Sequence, residues 1–219
     1  MVDRSGSFHR VQREGNFKGQ DYFLLACDQI KQYVEKHAGT DRELIIVRTI
    51  EAASFTDETV AAQIDLTNSA ITFSEKEPDG VYEKYEHEAW EKRKEAFLQN
   101  AHDQIASQTK TFYERIDALR NRKFSGGTDI VNAFKALVQD LKSLPHYSKR
   151  IVVFSDFKDN QNRLDTAEVI DFGDDVEIEG RFVSINDLKP AEYDKLIKAW
   201  QRILNSKVTE FKTPIKSIQ

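Results

Sequence analysis

Arg150-Ile151-Val152-Val153-Phe154-Ser155-Asp156 is the stretch on which the reading of this chain turns. Ile151 to Phe154 is a short run that is apolar at every position. Such a run predicts a central strand buried on both faces rather than one with a wet side. Ser155 and Asp156 then fall at the carboxyl end of that strand, where the chain enters a polar loop, Asp156 to Asp165, rich in Asp, Asn and Lys.

Working outward, the residues before this strand predict a helix. Ile130, Val131, Phe134, Leu137, Val138 and Leu141 recur near a 3.6-residue period over Asp129–Leu144, after Gly126-Gly127-Thr128-Asp129 and before Pro145. The pattern repeats elsewhere. Tyr22, Phe23, Leu25, Cys27, Ile30, Tyr33 and Val34 predict a helix over Gln20–His37, closed by Gly39. Leu44-Ile45-Ile46-Val47 and Ile50 predict a strand within Glu43–Ser54. Val176–Ile185 predicts another strand, and Pro190–Asn205 a final helix. Alternating strands and helices predict an α/β fold, a mostly parallel central sheet with helices on both faces, in one domain over 1–219. Ala61–Phe73 is consistent with either a short helix or an antiparallel edge strand. Gly15–Gly19 and Pro78-Asp79-Gly80 are read as turns.

Val81–Phe124 contains neither Gly nor Pro. Its first part is crowded with charge, from Glu83 to Glu95. Leu98, Ile105, Phe112 and Leu119 then repeat every seven residues, which predicts one or two long helices with a narrow apolar seam. As one helix, about 40 residues span about 60 Å. Two uses are open for this insertion, 81–124. Its second half packs on the sheet while the charged half is a solvated face, or it projects as an arm that meets a partner through residues 83–119.

The 219 residues are 39% hydrophobic and 32% charged, with a formal net charge of −5. That balance and the lack of any Lys/Arg-rich stretch argue against nucleic-acid binding. No apolar run approaches the roughly 20 residues of a membrane span. Cys27, the one cysteine, excludes an intrachain disulfide and a Cys-based zinc site and reads as a core residue. The five histidines form no HxxH or HExxH pair. Phosphate-binding GxxxxGK[ST] and GxGxxG motifs are absent, as is a GxSxG nucleophile elbow. Only Met1 and Val2 precede Asp3, whereas a buried parallel strand usually needs about five residues. The expectation is a cytoplasmic protein by default, with a missing upstream segment, export signal included, left open.

Three fragments carry oxygen chemistry. Asp3-Arg4-Ser5-Gly6-Ser7 follows the stub of a strand, Thr128 sits in the loop entering a helix, and Asp156 follows the Ile151–Phe154 strand. In an open α/β sheet such positions meet outside the carboxyl ends of the strands. Ser5, Ser7 and Thr128 are neutral hydroxyl ligands suited to a hard divalent cation that prefers octahedral oxygen. Asp3 and Asp156, held one shell out, orient ligands and water without quenching the ion's charge. Asp129, Asp159 and Asn160 fall near the same rim.

Taken in order and context, DRSGS, GGTDI and VVFSD resemble the three metal-site segments of von Willebrand factor A domains, over Val2 to about Asn205. The resemblance implies a Rossmann-like α/β fold with the long helical insertion within it. It further implies a metal-ion-dependent adhesion site holding Mg²⁺ or Mn²⁺ through Asp3, Ser5, Ser7, Thr128 and Asp156. The implied function is non-enzymatic: binding a protein partner through an acidic side chain that completes the metal shell. Two other readings stand beside it. A Mg²⁺-dependent phosphohydrolase would use Asp3 as nucleophile and Asp156 as metal ligand. A scaffold protein would use the long helix as its interaction surface.

Overall fold

The structure is a computed structural model that describes residues 1–6, 8, 21–38, 42–54, 59–66, 72–78, 84–173, 176–181, 189–205 and 208–212. Six strands are β1 (Val2–Asp3), β2 (Leu44–Ile50), β3 (Val60–Asp65), β4 (Lys149–Phe154), β5 (Val176–Arg181) and β6 (Val208–Lys212). Four helices are α1 (Tyr22–His37), α2 (Lys84–Arg120), α3 (Ile130–Lys142) and α4 (Pro190–Ile203). The strands form one mixed sheet in the order β3-β2-β1-β4-β5-β6, parallel throughout except for β3 against β2. The chain builds one half of the sheet outward from β1, then returns to build the other half from β4. The order therefore reverses between β1 and β4, the position at which open α/β sheets bind ligands outside the carboxyl ends of their strands.

Both faces of the sheet are covered. Ile151 and Val153 of β4 point into a cluster with Ile50, Phe134, Ile178 and Trp200, roofed by α3 and α4. Phe154 and the half-buried Val152 point the other way, toward Phe23, Cys27 and Val34 of α1 and Phe112, Ile116 and Leu119 of α2. The four-residue run of β4 is thus apolar because each face of the sheet has its own core.

The helix and strand ends have local causes. Asp21 caps α1, its carboxylate accepting the N–H groups of Phe23 (2.8 Å) and Leu24 (3.2 Å), so the helix begins at Tyr22 rather than Gln20. Its C-cap is Ala38; Gly39, expected to close it, lies outside the described residues. β2 stops at Ile50 because the Ser54 hydroxyl turns the chain, accepting from Glu51 N–H (3.0 Å) and donating to Glu51 C=O (3.1 Å). Of the two readings of the Ala61–Phe73 segment, the strand holds: β3 is an antiparallel edge strand with Ala62 and Ile64 inward and Gln63 and Asp65 exposed. Residues 182–185 of the expected strand after Val176, the Gly15–Gly19 turn, and Asp79 and Gly80 lie outside the described residues. β6 was not anticipated at all; it adds a parallel edge beside β5.

The expected insertion is one unbroken helix of 37 residues, about 55 Å long. Phe112, Ile116 and Leu119 at its inner end are buried, while Leu98 and Ile105 are half-buried. The outer half carries a small apolar cluster of its own. Trp90 is covered by Phe73, whose ring meets it edge-on at 5.8 Å, and its indole N–H donates to the Glu75 carbonyl (3.0 Å). Among the described residues, no helix is long and apolar enough to cross a membrane.

Candidate functional site

All three oxygen-bearing fragments reach the carboxyl edge of the sheet around β1 and β4. β1 delivers Asp3, wholly buried beneath the edge. One carboxylate oxygen accepts the Ser5 N–H (2.8 Å), which closes the turn after the strand; the other accepts the Ser155 hydroxyl (2.7 Å). Ser155 in turn accepts the Phe157 N–H (2.9 Å). This ties the end of β1 to the loop after β4 and brings Asp3 within electrostatic reach of Asp156. Burial, and then the Asp156 charge, push the Asp3 carboxyl up to about 6, against the pull of the bonds from Ser155 and Ser5. Asp156 is itself buried and accepts the Lys158 N–H (3.1 Å).

The loop between them is bent sharply. Phe157 has φ 58°, the left-handed region that a bulky side chain enters only at a cost. Its ring is buried against Trp200 of α4 (5.8 Å), and its carbonyl accepts the Trp200 indole N–H (3.0 Å). Core packing therefore holds the strained backbone directly after Asp156.

Thr128 arrives from the other side. Ser125 forms a parallel bridge with Ser5, and its N–H donates to Arg4 C=O (3.0 Å). The Thr128 N–H donates to the Asn160 side chain (2.8 Å), and the Asn160 N–H donates back to Thr128 C=O (3.1 Å). The closeness leaves little room at Gly127: a Cβ there would displace the Gln161 amide and lie 3.1 Å from both Ala52 Cβ and Asn160 Oδ1. Thr128 is 1% exposed, and its hydroxyl finds no hydrogen-bond partner among the described residues. An orphaned buried hydroxyl is costly, and among the described residues only Thr109 has another.

The structure thus bonds Asp3 to Ser5 and to Ser155, the residue before Asp156, and fastens the Thr128 loop to the loop that follows Asp156. Ser5 is buried, its hydroxyl 3.4 Å from the Phe8 N–H, which it accepts. Ser7, the remaining candidate ligand, lies outside the described residues. Among the described residues no group of three or more His, Cys, Asp or Glu side chains is gathered for an ion; the candidate set has two carboxylates, and its other oxygens are hydroxyls.

The neighbouring polar residues are committed to the frame. Asp129 caps α3, accepting from Asn132 N–H (3.2 Å), and is further bonded by the Asn162 amide (2.7 Å) and Ser54 N–H (3.4 Å). Asp159 accepts the Val131 N–H (2.9 Å), so it also serves the start of α3. Asn160 is the rim residue that positions Thr128. Ser155, Ser125 and Arg4 were not singled out as site residues by sequence. Arg4 is buried, pairs with Glu51, and donates to Lys123 C=O (2.6 Å), joining β1, β2 and the chain after α2. Their signal is position: Arg4 and Ser155 lie within the quoted fragments, and Ser125 directly precedes Gly126. No protein-family model, curated protein sequence or solved structure matches this chain.

Proposed function

We propose that this chain is a non-enzymatic binding module of the von Willebrand factor A type, holding Mg²⁺ or Mn²⁺ at the carboxyl edge of its sheet and using it to capture an acidic side chain of a partner protein. The observation that carries this reading is the orphaned Thr128 hydroxyl, enclosed at the same edge as two buried carboxylates. Two like charges in a dry site raise each other's cost, and a divalent cation relieves it. The residues fit such an ion: Ser5 and Thr128 offer neutral oxygens, Ser7 adds a third by sequence, and Asp3 and Asp156 supply the negative charge. When bound, the ion supplies Lewis acidity toward a carboxylate oxygen. The strand order, with its reversal between β1 and β4 and its antiparallel edge β3, also supports the fold that the sequence resembles.

A phosphoryl-transfer enzyme is less well supported. Asp3 is wholly buried and both its oxygens are occupied by Ser5 and Ser155, which is poor placement for an attacking nucleophile. The scaffold reading keeps one specific support, the 85% exposed Tyr85 and 43% exposed Phe97 on the outer half of α2.

The test is calorimetric titration of Mg²⁺ and Mn²⁺ into the wild-type protein and Thr128→Val. The variant keeps the shape of the side chain and removes the orphaned oxygen. We expect the ion's affinity to fall at least about tenfold, while the thermal midpoint in chelator stays level or rises because an unsatisfied hydroxyl is gone. Equal uptake by both proteins, or none by the wild type, refutes the assignment.

A further inference from the structure

The rim of the same site has a charge pattern that the metal alone does not require. Arg122, Lys123 and Phe124 are consecutive and exposed, Phe124 at 46%. They are held at the edge from below, since Lys123 C=O accepts from the buried Arg4 guanidinium and Ser125 bridges to Ser5. On the other flank stands Lys158, whose N–H is bonded to Asp156. Arg122, Lys123 and Lys158 have no ion-pair partner among the described residues. The carboxylates around them are already engaged: Glu51 with Arg4, and Asp129 and Asp159 with the start of α3 and with Asn162. Gly6 and Gly126, on the two turns between these flanks, have no atom of the described residues within 4 Å of where a Cβ would stand. The chain as a whole is acidic, at −5, yet among the described residues at this edge the charged side chains outside the metal set without an ion-pair or capping role are basic, with an aromatic beside them.

We propose that this rim is a docking surface for an acidic peptide segment of a partner protein. One carboxylate of the segment goes to the ion, neighbouring carboxylates face Arg122, Lys123 and Lys158, and an adjacent apolar side chain lies on Phe124. The inference rests on the metal-site reading and specifies its ligand further. Charge complementarity argues for the occupant: exposed cations without partners raise the local concentration of an anionic segment and orient it, although each pair contributes little by itself. The two glycines leave room for the segment's backbone to come close.

The experiment uses fluorescence anisotropy with a labelled peptide in which aspartates flank a leucine, and a control peptide with asparagine in place of each aspartate. Both are titrated at saturating Mg²⁺ with wild-type protein, the double variant Lys123→Glu/Lys158→Glu, and Phe124→Ala. Mg²⁺ uptake by each protein is measured separately by calorimetry, and folding by circular dichroism. All three substitutions are at exposed or half-exposed positions outside the metal set, and the charge reversals are expected to hold or strengthen Mg²⁺ uptake, so weaker peptide binding is not loss of the ion. The aspartate peptide is expected to bind the wild type in preference to the control, about tenfold more weakly to the double variant, and several-fold more weakly to Phe124→Ala. Added NaCl should weaken the wild-type complex.

If the variants, saturated with Mg²⁺, bind the aspartate peptide as tightly as the wild type, the rim proposal falls and the metal reading stands. If the wild type takes up no Mg²⁺, both fall. Tighter binding of a single-stranded oligonucleotide than of the aspartate peptide, or a dimer that Lys123→Glu abolishes, also overturns the proposal by naming a different occupant.

Discussion

Acidic side chains occupy two contrasting places in this molecule. At the carboxyl edge of the sheet, Asp3 and Asp129 are buried and each carboxylate is bonded to backbone and side-chain donors from distant segments. On the outer half of α2, Glu91 and Asp103 meet neighbours on the same helix, Lys94 at 3.9 Å and Gln99 at 2.9 Å, and Glu75 on the segment alongside pairs with Arg93, each pair at least partly in solvent. The residue types are alike; the surroundings are not. In water a paired charge exchanges one good environment for another, and the net gain is small. Beneath the edge, each carboxylate has lost its water, so its bonds and its charge become decisive.

The largest consequence is expected at Asp129. Asp129→Ala removes the cap of α3 and strands the Asn132, Asn162 and Ser54 donors, for a loss of about 4 kcal/mol in urea unfolding. A loss below about 1 kcal/mol would mean that the buried edge is no different from the arm.

Next comes Asp3→Asn, and here the sign depends on pH. A carboxyl raised from 3.8 to about 6 favours folding fully below its ordinary value, and that contribution is lost as pH rises through about 6. In chelator, the wild type should therefore lose stability relative to Asp3→Asn between those values, by up to about 3 kcal/mol, and the gap should be flat above. Mg²⁺ should narrow the gap at neutral pH by stabilising only the wild type. A gap that does not vary with pH would remove Asp156 and burial as the cause.

The smallest effect is assigned to Arg93→Ala. Its pair with Glu75 is fully in solvent, so the thermal midpoint should not move measurably. A clear fall would show that the segment along α2 is held by this pair rather than by Phe73 and Trp90.

Much of this was legible in the chain itself. Ile151–Phe154 announced a strand buried on both faces, and Ile130–Leu141 announced the helix before it. Both signals are local: the side-chain period of a strand or helix records which faces are dry. Asp3, Ser5, Thr128 and Asp156 were visible because each stands where an element ends. Other features left no such trace. Ser155 is an ordinary serine until β1 lies beside β4 and gives its hydroxyl the Asp3 carboxylate. Gly127 is one of two adjacent glycines until Asn160 and Gln161 close over it. β6 is short and follows a helix that already looked terminal. The continuity of α2 was undecided because charges and a thin apolar seam fit one helix as well as two.

The alternation of strands and helices, the two-sided burial of the central strand and the residue types at the strand ends can all be read from the order of residues. Only the packing of the elements leaves the Thr128 hydroxyl without a partner among the described residues, brings Asp3 within electrostatic reach of Asp156, and sets the Arg122–Lys123 turn and the Lys158 loop at the same edge. Periodicity reports only what lies above and below an element, a property of a few neighbouring residues. What stands beside it depends on strand order, and strand order is set by packing among segments as much as 150 residues apart, as the bond from Ser155 to Asp3 shows with its separation of 152.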